Sequence, residues 1–296
     1  MNSWIIYNGN LPSSKFIDFA EMLKAAALRK KHHVEIYKNN DLLSVLDSAH
    51  LNILSKDNIE LPDYIIFTDK DIYLANQFEL LNVPLFNSAR SIAVSDDKIA
   101  TYQALAAKKL PIPKTIIAPK VFLEPKENSL NINAIIDELG LPLIIKESFG
   151  SFGEQVYLIH SKDELVQKLD TLHSKPYMFQ EFIKTSYGKD LRLQVVGDEV
   201  VAAMMRTSKN DFRANITSGG QMTPYQPTKE EIELAVAGTK AIGADFAGVD
   251  ILFGEHGPLI CEINSNAHIR NMYECTNINV ADFIIEHIIK TINNVR

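Results

Sequence analysis

Two apolar runs near the C-terminal end of the chain carry polar residues at positions a strand would bury. Gly248-Val249-Asp250-Ile251-Leu252 and Cys261-Glu262-Ile263-Asn264 flank Phe253-Gly254-Glu255-His256-Gly257-Pro258, a short stretch with two glycines. Runs joined in this way read as an antiparallel hairpin. Side chains alternate across a strand, so Glu262 and Asn264 share one face while Cys261 and Ile263 take the other, toward the core. With the turn centred near Glu255 or His256, Asp250 falls within about one residue of facing Glu262. Two carboxylates and an amide oxygen then converge inside apolar strands, and burying carboxylates without a partner is unfavourable. A hard cation is the simplest remedy, and an all-oxygen set suits magnesium. A hairpin whose polar face is merely solvated is the competing reading. The hairpin alone does not separate the two.

The remaining elements supply context. Strands at Trp4–Tyr7, Val34–Tyr37, Tyr64–Phe67 and Val83–Phe86 alternate with helical patterns at Ser14–Lys30 and Ile72–Leu81. That alternation predicts a small parallel α/β unit, with the proline-bearing fourth strand near an edge. A helix over Asp96–Lys109 ends at Leu110-Pro111-Ile112-Pro113, and an extended segment runs from Lys114 to Pro119. The stretch Val121–Asn133 reads as a loop before a short helix that ends at Gly140. Leu143–Glu147, the break Gly150-Ser151-Phe152-Gly153 and Gln155–Ile159 read as strand, glycine loop, strand. A helix over Lys162–Leu172 and a strand over Tyr177–Ile183 follow. Leu191–Val196 and Val200–Arg206 form a second hairpin. Thr228 with Glu231 three residues on matches a capping box for a helix to Ile242, and an amphipathic helix spans Ile278–Ile289.

The chain has 296 residues, enough for two or three domains. Its net charge of −7 and pI near 5.6 argue against general nucleic-acid or anionic-membrane binding. No segment has the apolar length to span a bilayer, and the N-terminus does not have the features of a signal peptide. Cys261 and Cys275 have no metal-site spacing and fit a reducing cytoplasm. The histidines show no metal or nucleophile-activating arrangement.

Several weaker signals accompany the hairpin. The Gly150–Gly153 loop has backbone N–H groups able to close over phosphates, with Lys146 at the end of the preceding strand. A plain turn is the alternative, and no helix follows directly as a dinucleotide or Walker loop requires. Phe179-Gln180-Glu181-Phe182-Ile183 offers apolar walls and backbone groups for a purine, and Asp190 offers an acceptor for ribose hydroxyls. Arg192, Arg206, Arg213 and Arg270 concentrate in the C-terminal half. Their forked guanidinium groups suit carboxylates and phosphoryl groups.

Taken in order, these motifs resemble the ATP-grasp superfamily, and within it the RimK-like ligases that add glutamate or another amino acid to an acceptor carboxylate. The segments are Asp97-Lys98, Leu110–Thr115, Pro142–Lys146, Gly150–Gly153, Gln180–Ile183 and Gly188–Arg192. Arg213-Ala214-Asn215, Gly219-Gly220, Ala247–Asp250 and Glu262–Ser265 complete the set, which spans roughly residues 95–290.

The resemblance implies an α/β (α+β) architecture. A parallel pre-ATP-grasp domain would cover residues 1–92, a central subdomain with the glycine loop 93–183, and a C-terminal antiparallel subdomain with the metal site 184–296. Lys98, Lys146 and the loop Gly150, Ser151, Phe152 and Gly153 would contact ATP phosphates. Gln180, Glu181, Phe182 and Ile183 would line the adenine pocket, with Asp190 on the ribose and Arg192 beside it. Arg206, Arg213 and Asn215 would serve the phosphate and acyl-transfer site. Asp250, Glu262 and Asn264 would hold two magnesium ions, with manganese as an alternative. The implied reaction joins a small-molecule or peptide carboxylate to an amino acid or amine through an acyl phosphate. The family also favours a homo-oligomer.

Two departures from the family pattern stand out. Glu154-Gln155 occupy positions where a lysine and a glycine usually follow the loop, and Ser265-Asn266-Ala267-His268 replaces Asn-Pro-Gly after Asn264. The first is the best support for another reading, a nucleotide-binding regulatory protein without ligase activity, and the second points to an unusual acceptor. An enzyme that phosphorylates without forming an amide is a third reading.

Overall fold

The computed structural model describes residues 2–56, 59–122, 130–150, 153–172, 174–214 and 219–295. The N-terminal unit contains β1 (Asn2–Tyr7), α1 (Lys15–Arg29), β2 (His33–Lys38), β3 (Leu43–Leu46), β4 (Leu51–Leu54), β5 (Tyr64–Phe67), α2 (Ile72–Leu80), β6 (Leu85–Phe86) and α3 (Ala89–Asp96). Four strands form a parallel sheet in the order β2-β1-β5-β6, with the proline-preceded β6 at an edge as its sequence predicts. Both faces are covered, so the central strands are apolar over Trp4–Ile6 of β1 and throughout β5, while the edge strand β2 carries His33, Glu35 and Lys38. Ile5 and Ile66 pack under α1, while Trp4, Ile6, Ile65 and Phe67 pack under α2.

The central unit contains α4 (Lys98–Ala107), β7 (Thr115–Ile117), α5 (Ile132–Leu139), β8 (Leu143–Glu147), β9 (Val156–Ile159), α6 (Lys162–Leu172) and β10 (Tyr177–Glu181). Its antiparallel sheet runs β7-β10-β8-β9, with α5 and α6 closing one face over Leu143, Ile145 and Phe179. The C-terminal unit contains β11 (Lys189–Val196), β12 (Glu199–Thr207), β13 (Gln221–Pro224), α7 (Lys229–Ile242), β14 (Phe246–Gly254), β15 (Gly257–Asn264), α8 (Arg270–Thr276) and α9 (Val280–Val295). Its sheet runs β13-β12-β11-β14-β15, with α7 across one face. The capping box is present: Glu231 N–H donates to Thr228 Oγ1 and Thr228 N–H to Glu231 Oε2.

Three features differ from the sequence reading. The helix expected over 96–109 is α4, which starts at Lys98 because the Asp97 side chain accepts N–H bonds from Ile99 and Ala100; the separate helix α3 before it is not among the expected elements. Leu105 of α4 is buried in the core under the five-stranded sheet, so this helix, within the stretch expected as the central subdomain, packs on the C-terminal unit. Helix α9 leaves the C-terminal unit and packs Ile284, Ile285 and Ile288 against Phe19, Leu23 and Ala26 of α1. Asn87 adds a polar staple between units. Its amide donates to Phe246 O at 2.9 Å and Ser265 O at 2.7 Å, and accepts from the N–H groups of Asp245 and Phe246.

Candidate active site

The two expected lysines reach one place from different elements. Asp97 caps α4 and is bound by Ser148 Oγ, while Lys98 N–H donates to Ser148 O at 2.9 Å. This docks the start of α4 on the loop after β8. Lys98 Nζ then donates to Gly150 O at 3.0 Å and stands 3.7 Å from Glu262 Oε1. Lys146, in the buried strand β8, reaches the same space, only 6% exposed.

That space is a cavity between the central sheet and the five-stranded sheet. Its wall includes the apolar residues Ile144, Val156, Phe182, Ile183, Phe212 and Leu252. Phe182 meets Phe212 and Tyr187 edge to face at centroid distances of 6.4 and 6.1 Å. The same wall carries Lys98, Lys146, Arg213, Asp190, Asp250 and Glu262, with the Arg213 guanidinium 5.2 Å from the Phe212 ring centroid. Apolar walls beside clustered cations suit a ligand with a flat ring and an anionic tail.

Charged side chains on β11, β12, β14 and β15 cluster on neighbouring rungs of the five-stranded sheet beside the cavity. Asp250 pairs in register with Glu262 on one side and Arg192 on the other, and Asp190 pairs with Arg206. Arg206 is held between two carboxylates: Nε and Nη2 donate to Asp190 at 2.7 and 2.8 Å, and Nη2 reaches Asp250 Oδ2 at 3.0 Å. Arg192 grips Asp250 through Nε and through Nη2 at 2.8 Å. Burial raises both carboxyl pKa values, but two guanidinium groups outweigh it at Asp250 and leave that pKa below the ordinary value. Asp190 has one guanidinium bonded to it and the like charge of Asp250 nearby, so burial prevails and its pKa is raised.

The structure therefore revises several expected roles. Arg206 and Arg192 do not reach the cavity wall; they hold the aspartates that do. Asp190 is in the wall, and each of its oxygens accepts one bond from Arg206. Asp250 faces Glu262 as expected but is held by two guanidinium groups rather than standing free for a cation.

Cys261 does not back the core. Pairing shifts between Asp250/Glu262 and Ile251/Ile260, leaving Cys261 as the extra residue of a β-bulge. Strand alternation breaks there, and Cys261 joins Glu262 in the cavity wall while Ile260 and Ile263 stay in the core.

Gln180, Glu181, Gly150 and Gly153 line the cavity. The side chain of Gln180 donates to Thr115 Oγ1 at 2.9 Å, and Glu181 Oε1 accepts from Lys114 N–H at 2.6 Å. Arg213 lines the cavity too, with one arm on Gly153 O and two nitrogens on Asp211. Arg270 is elsewhere, paired with Asp18 of α1. Ser151, Phe152 and Asn215 lie outside the described residues. Sequence reasoning missed Phe212 and Leu252, which no motif marks, and Tyr102, which follows Lys98 by one helical turn.

Asn264 pairs in register with Gly248, and its buried Nδ2 has no hydrogen-bond partner among the described residues. Among those residues, no group of three or more His, Cys, Asp or Glu side chains is placed to hold a metal ion. Asp250 and Glu262 are in the cavity wall, and Asn264 is not among the residues that line it.

Solved structures share this architecture. An ATP-grasp ligase, PsnB, in complex with minimal precursor, Mg and ADP matches with a TM-score of 0.71, covering 98% of each chain at 16% identity. A D-alanine–D-alanine ligase from Bacillus anthracis complexed with ATP matches with a TM-score of 0.72, covering 100% of this chain and 98% of its own at 17% identity. The fold is therefore that of the ATP-grasp proteins. The model of the RimK-like ATP-grasp domain matches residues 95–288. A Shewanella denitrificans protein named "Probable alpha-L-glutamate ligase 2" is 32% identical over 298 residues, covering 96% of this chain and 94% of the relative. The chain belongs to the RimK-like ATP-grasp family. Its class of activity is ATP-dependent, ADP-forming carboxylate–amine ligation.

Proposed function

We propose that the chain joins an amino acid, with glutamate the first candidate, to an acceptor carboxylate through an acyl phosphate, using ATP and magnesium. The observation that carries this is one cavity whose wall holds Phe182 and Phe212 together with Lys98, Lys146 and Arg213, and in which Glu262 faces Asp250 across the ladder. The relative named for glutamate ligation supports the choice of amino acid.

Phe182, Ile183 and Phe212 would hold the adenine ring, and Lys98, Lys146 and Arg213 the phosphates. Glu262, with Asp250 and Asn264, would hold up to two magnesium ions, or manganese; a bound ion would offset charge developing on phosphoryl oxygens. For the ion to sit on Asp250, that carboxylate must share its oxygens with Arg192 and Arg206. Glu262 is the freer donor, its neighbouring cation Lys98 being 3.7 Å away.

In the first step an acceptor carboxylate oxygen attacks the γ-phosphorus, the bond to the bridging oxygen breaks, and ADP leaves with the electron pair. In the second step the amine nitrogen attacks the acyl carbon and phosphate leaves. The nitrogen sheds a proton, and an amide remains. Both steps load negative charge onto oxygens, which the fixed cations of the wall stabilise in a site shielded from water. Free Cys261 and Cys275 suit a cytoplasmic setting, and among the described residues no helix is long and apolar enough to cross a membrane.

Titration calorimetry of the wild type and Glu262→Gln tests the reading. Magnesium should tighten ATP binding to the wild type at least tenfold and have much less effect on the variant. Equal magnesium dependence would remove Glu262 from the metal site.

A further inference from the structure

The surroundings of Lys146 pose a physical question. A buried ammonium is normally paired with a carboxylate. Among the described residues, no carboxylate lies within ion-pair distance of Lys146 Nζ, and Glu262 acts on its charge only from farther off; the hydrogen-bond partners are Tyr102 Oη at 3.5 Å and Cys261 Sγ at 3.7 Å. The Tyr102 ring adds a cation–π contact at 5.5 Å.

Both neighbours are built into place. Tyr102 follows Lys98 by four residues on α4, so one face of that helix carries both. Its hydroxyl donates to Cys261 O at 3.0 Å, a carbonyl of the bulged residue. The bulge also turns the Cys261 thiol toward the lysine. We propose that Tyr102 and Cys261 form an uncharged cradle that positions the Lys146 ammonium and leaves its charge whole for the anionic tail of a nucleotide. A carboxylate in the same place would neutralise the lysine before any ligand arrived. The Tyr102 phenol does not do so at neutral pH: burial pushes it up to about 12. Tyr102 is thus a positioning residue that acts through Lys146. The proposal rests on the reading that Lys146 contacts phosphate.

Tyr102→Phe keeps the ring and removes the hydroxyl. It should weaken binding of ATP with magnesium about tenfold, as expected for one hydrogen bond to a charged group. Adenosine, which has no phosphates, should bind within twofold of the wild type, and KM for ATP should rise more than kcat falls. Equal losses for ATP and adenosine, or no loss for ATP, would overturn the cradle. Lys146→Met separates the two layers of the argument. If it leaves ATP affinity intact, the reading of Lys146 itself fails; if it abolishes affinity while Tyr102→Phe does nothing, only the cradle fails. Should Tyr102→Phe not fold, Cys261→Asp against Cys261→Ala gives the same test. The aspartate should bind ATP at least tenfold more weakly than the alanine, with adenosine unchanged, and equal ATP affinities would refute the proposal.

Discussion

Replacing Arg206 by methionine is the sharpest perturbation of the charge cluster. The side chain is 7% exposed and supplies three hydrogen bonds of 2.7, 2.8 and 3.0 Å to two buried aspartates. Methionine retains much of the apolar stem but leaves Asp190 with no cation bonded to it, while Asp250 retains Arg192. Removing one partner of a buried ion pair costs about 3–5 kcal/mol. Because Asp250 keeps its second guanidinium, the loss should fall near about 3 kcal/mol and reside on Asp190. Chemical denaturation at pH 7 measures it. Asp190→Asn in the Arg206→Met background removes the stranded charge and should recover more than half of the loss. The coupling in this double-mutant cycle should be about 1.5 kcal/mol or more. The pH dependence gives an independent sign. Without Arg206 the folded-state pKa of Asp190 rises further, so the variant should gain stability relative to the wild type as pH falls from 7 toward 4. A loss below about 1 kcal/mol, or no rescue by Asp190→Asn, would refute the view that Arg206 is a clamp rather than a solvated surface charge.

Other consequences can be checked with single variants. Asn87→Ala leaves two carbonyls and two N–H groups of residues 245, 246 and 265 without their partner, and should destabilise by about 3–5 kcal/mol in denaturant melts. Gly248→Ala would bring a Cβ to 2.5 Å from that of Ala267 and 3.2 Å from Arg192, so it should lower thermal stability and weaken ATP binding together, read by scanning calorimetry and titration. Burial between Phe16 and Phe19, with Lys15 adding to it, lowers the His268 pKa. Its contribution to stability is therefore complete above the unfolded value of about 6.5 and is lost as pH falls through the folded value, at up to about 1.4 kcal/mol per unit. His268→Phe should flatten that part of the stability profile, measured by denaturation between pH 8 and 5.

Local rules carried much of this structure. Alternation and turn residues put Asp250 opposite Glu262, and the capping box at Thr228 appeared as read. The strand–loop–strand order around Gly150 is likewise present, with β8 and β9 paired antiparallel. What the sequence did not disclose depends on contacts between distant segments. One extra residue at Cys261 shifts the register and turns a core position into a cavity position, and no side-chain pattern announces a bulge. The arginines were legible as a group, but a guanidinium looks the same whether it faces a ligand or locks an aspartate; only the packing of β11, β12 and β14 decides. Helix α9 is amphipathic by itself, and nothing local says that its apolar face returns to α1. The hairpin of β3 and β4 escaped notice because its leucines are largely exposed and follow no two-residue alternation.

The central claim is tested most directly by ADP release from the purified chain with ATP and magnesium, against a panel of acceptor acids and amino acids, with product mass recorded. The account predicts ADP formation that requires the metal, an acceptor carboxylate and an amine together. The product mass should equal the sum of acceptor and amine less one water. A stable phosphorylated product formed without the amine, or MgATP binding with no turnover for any pair, would contradict it.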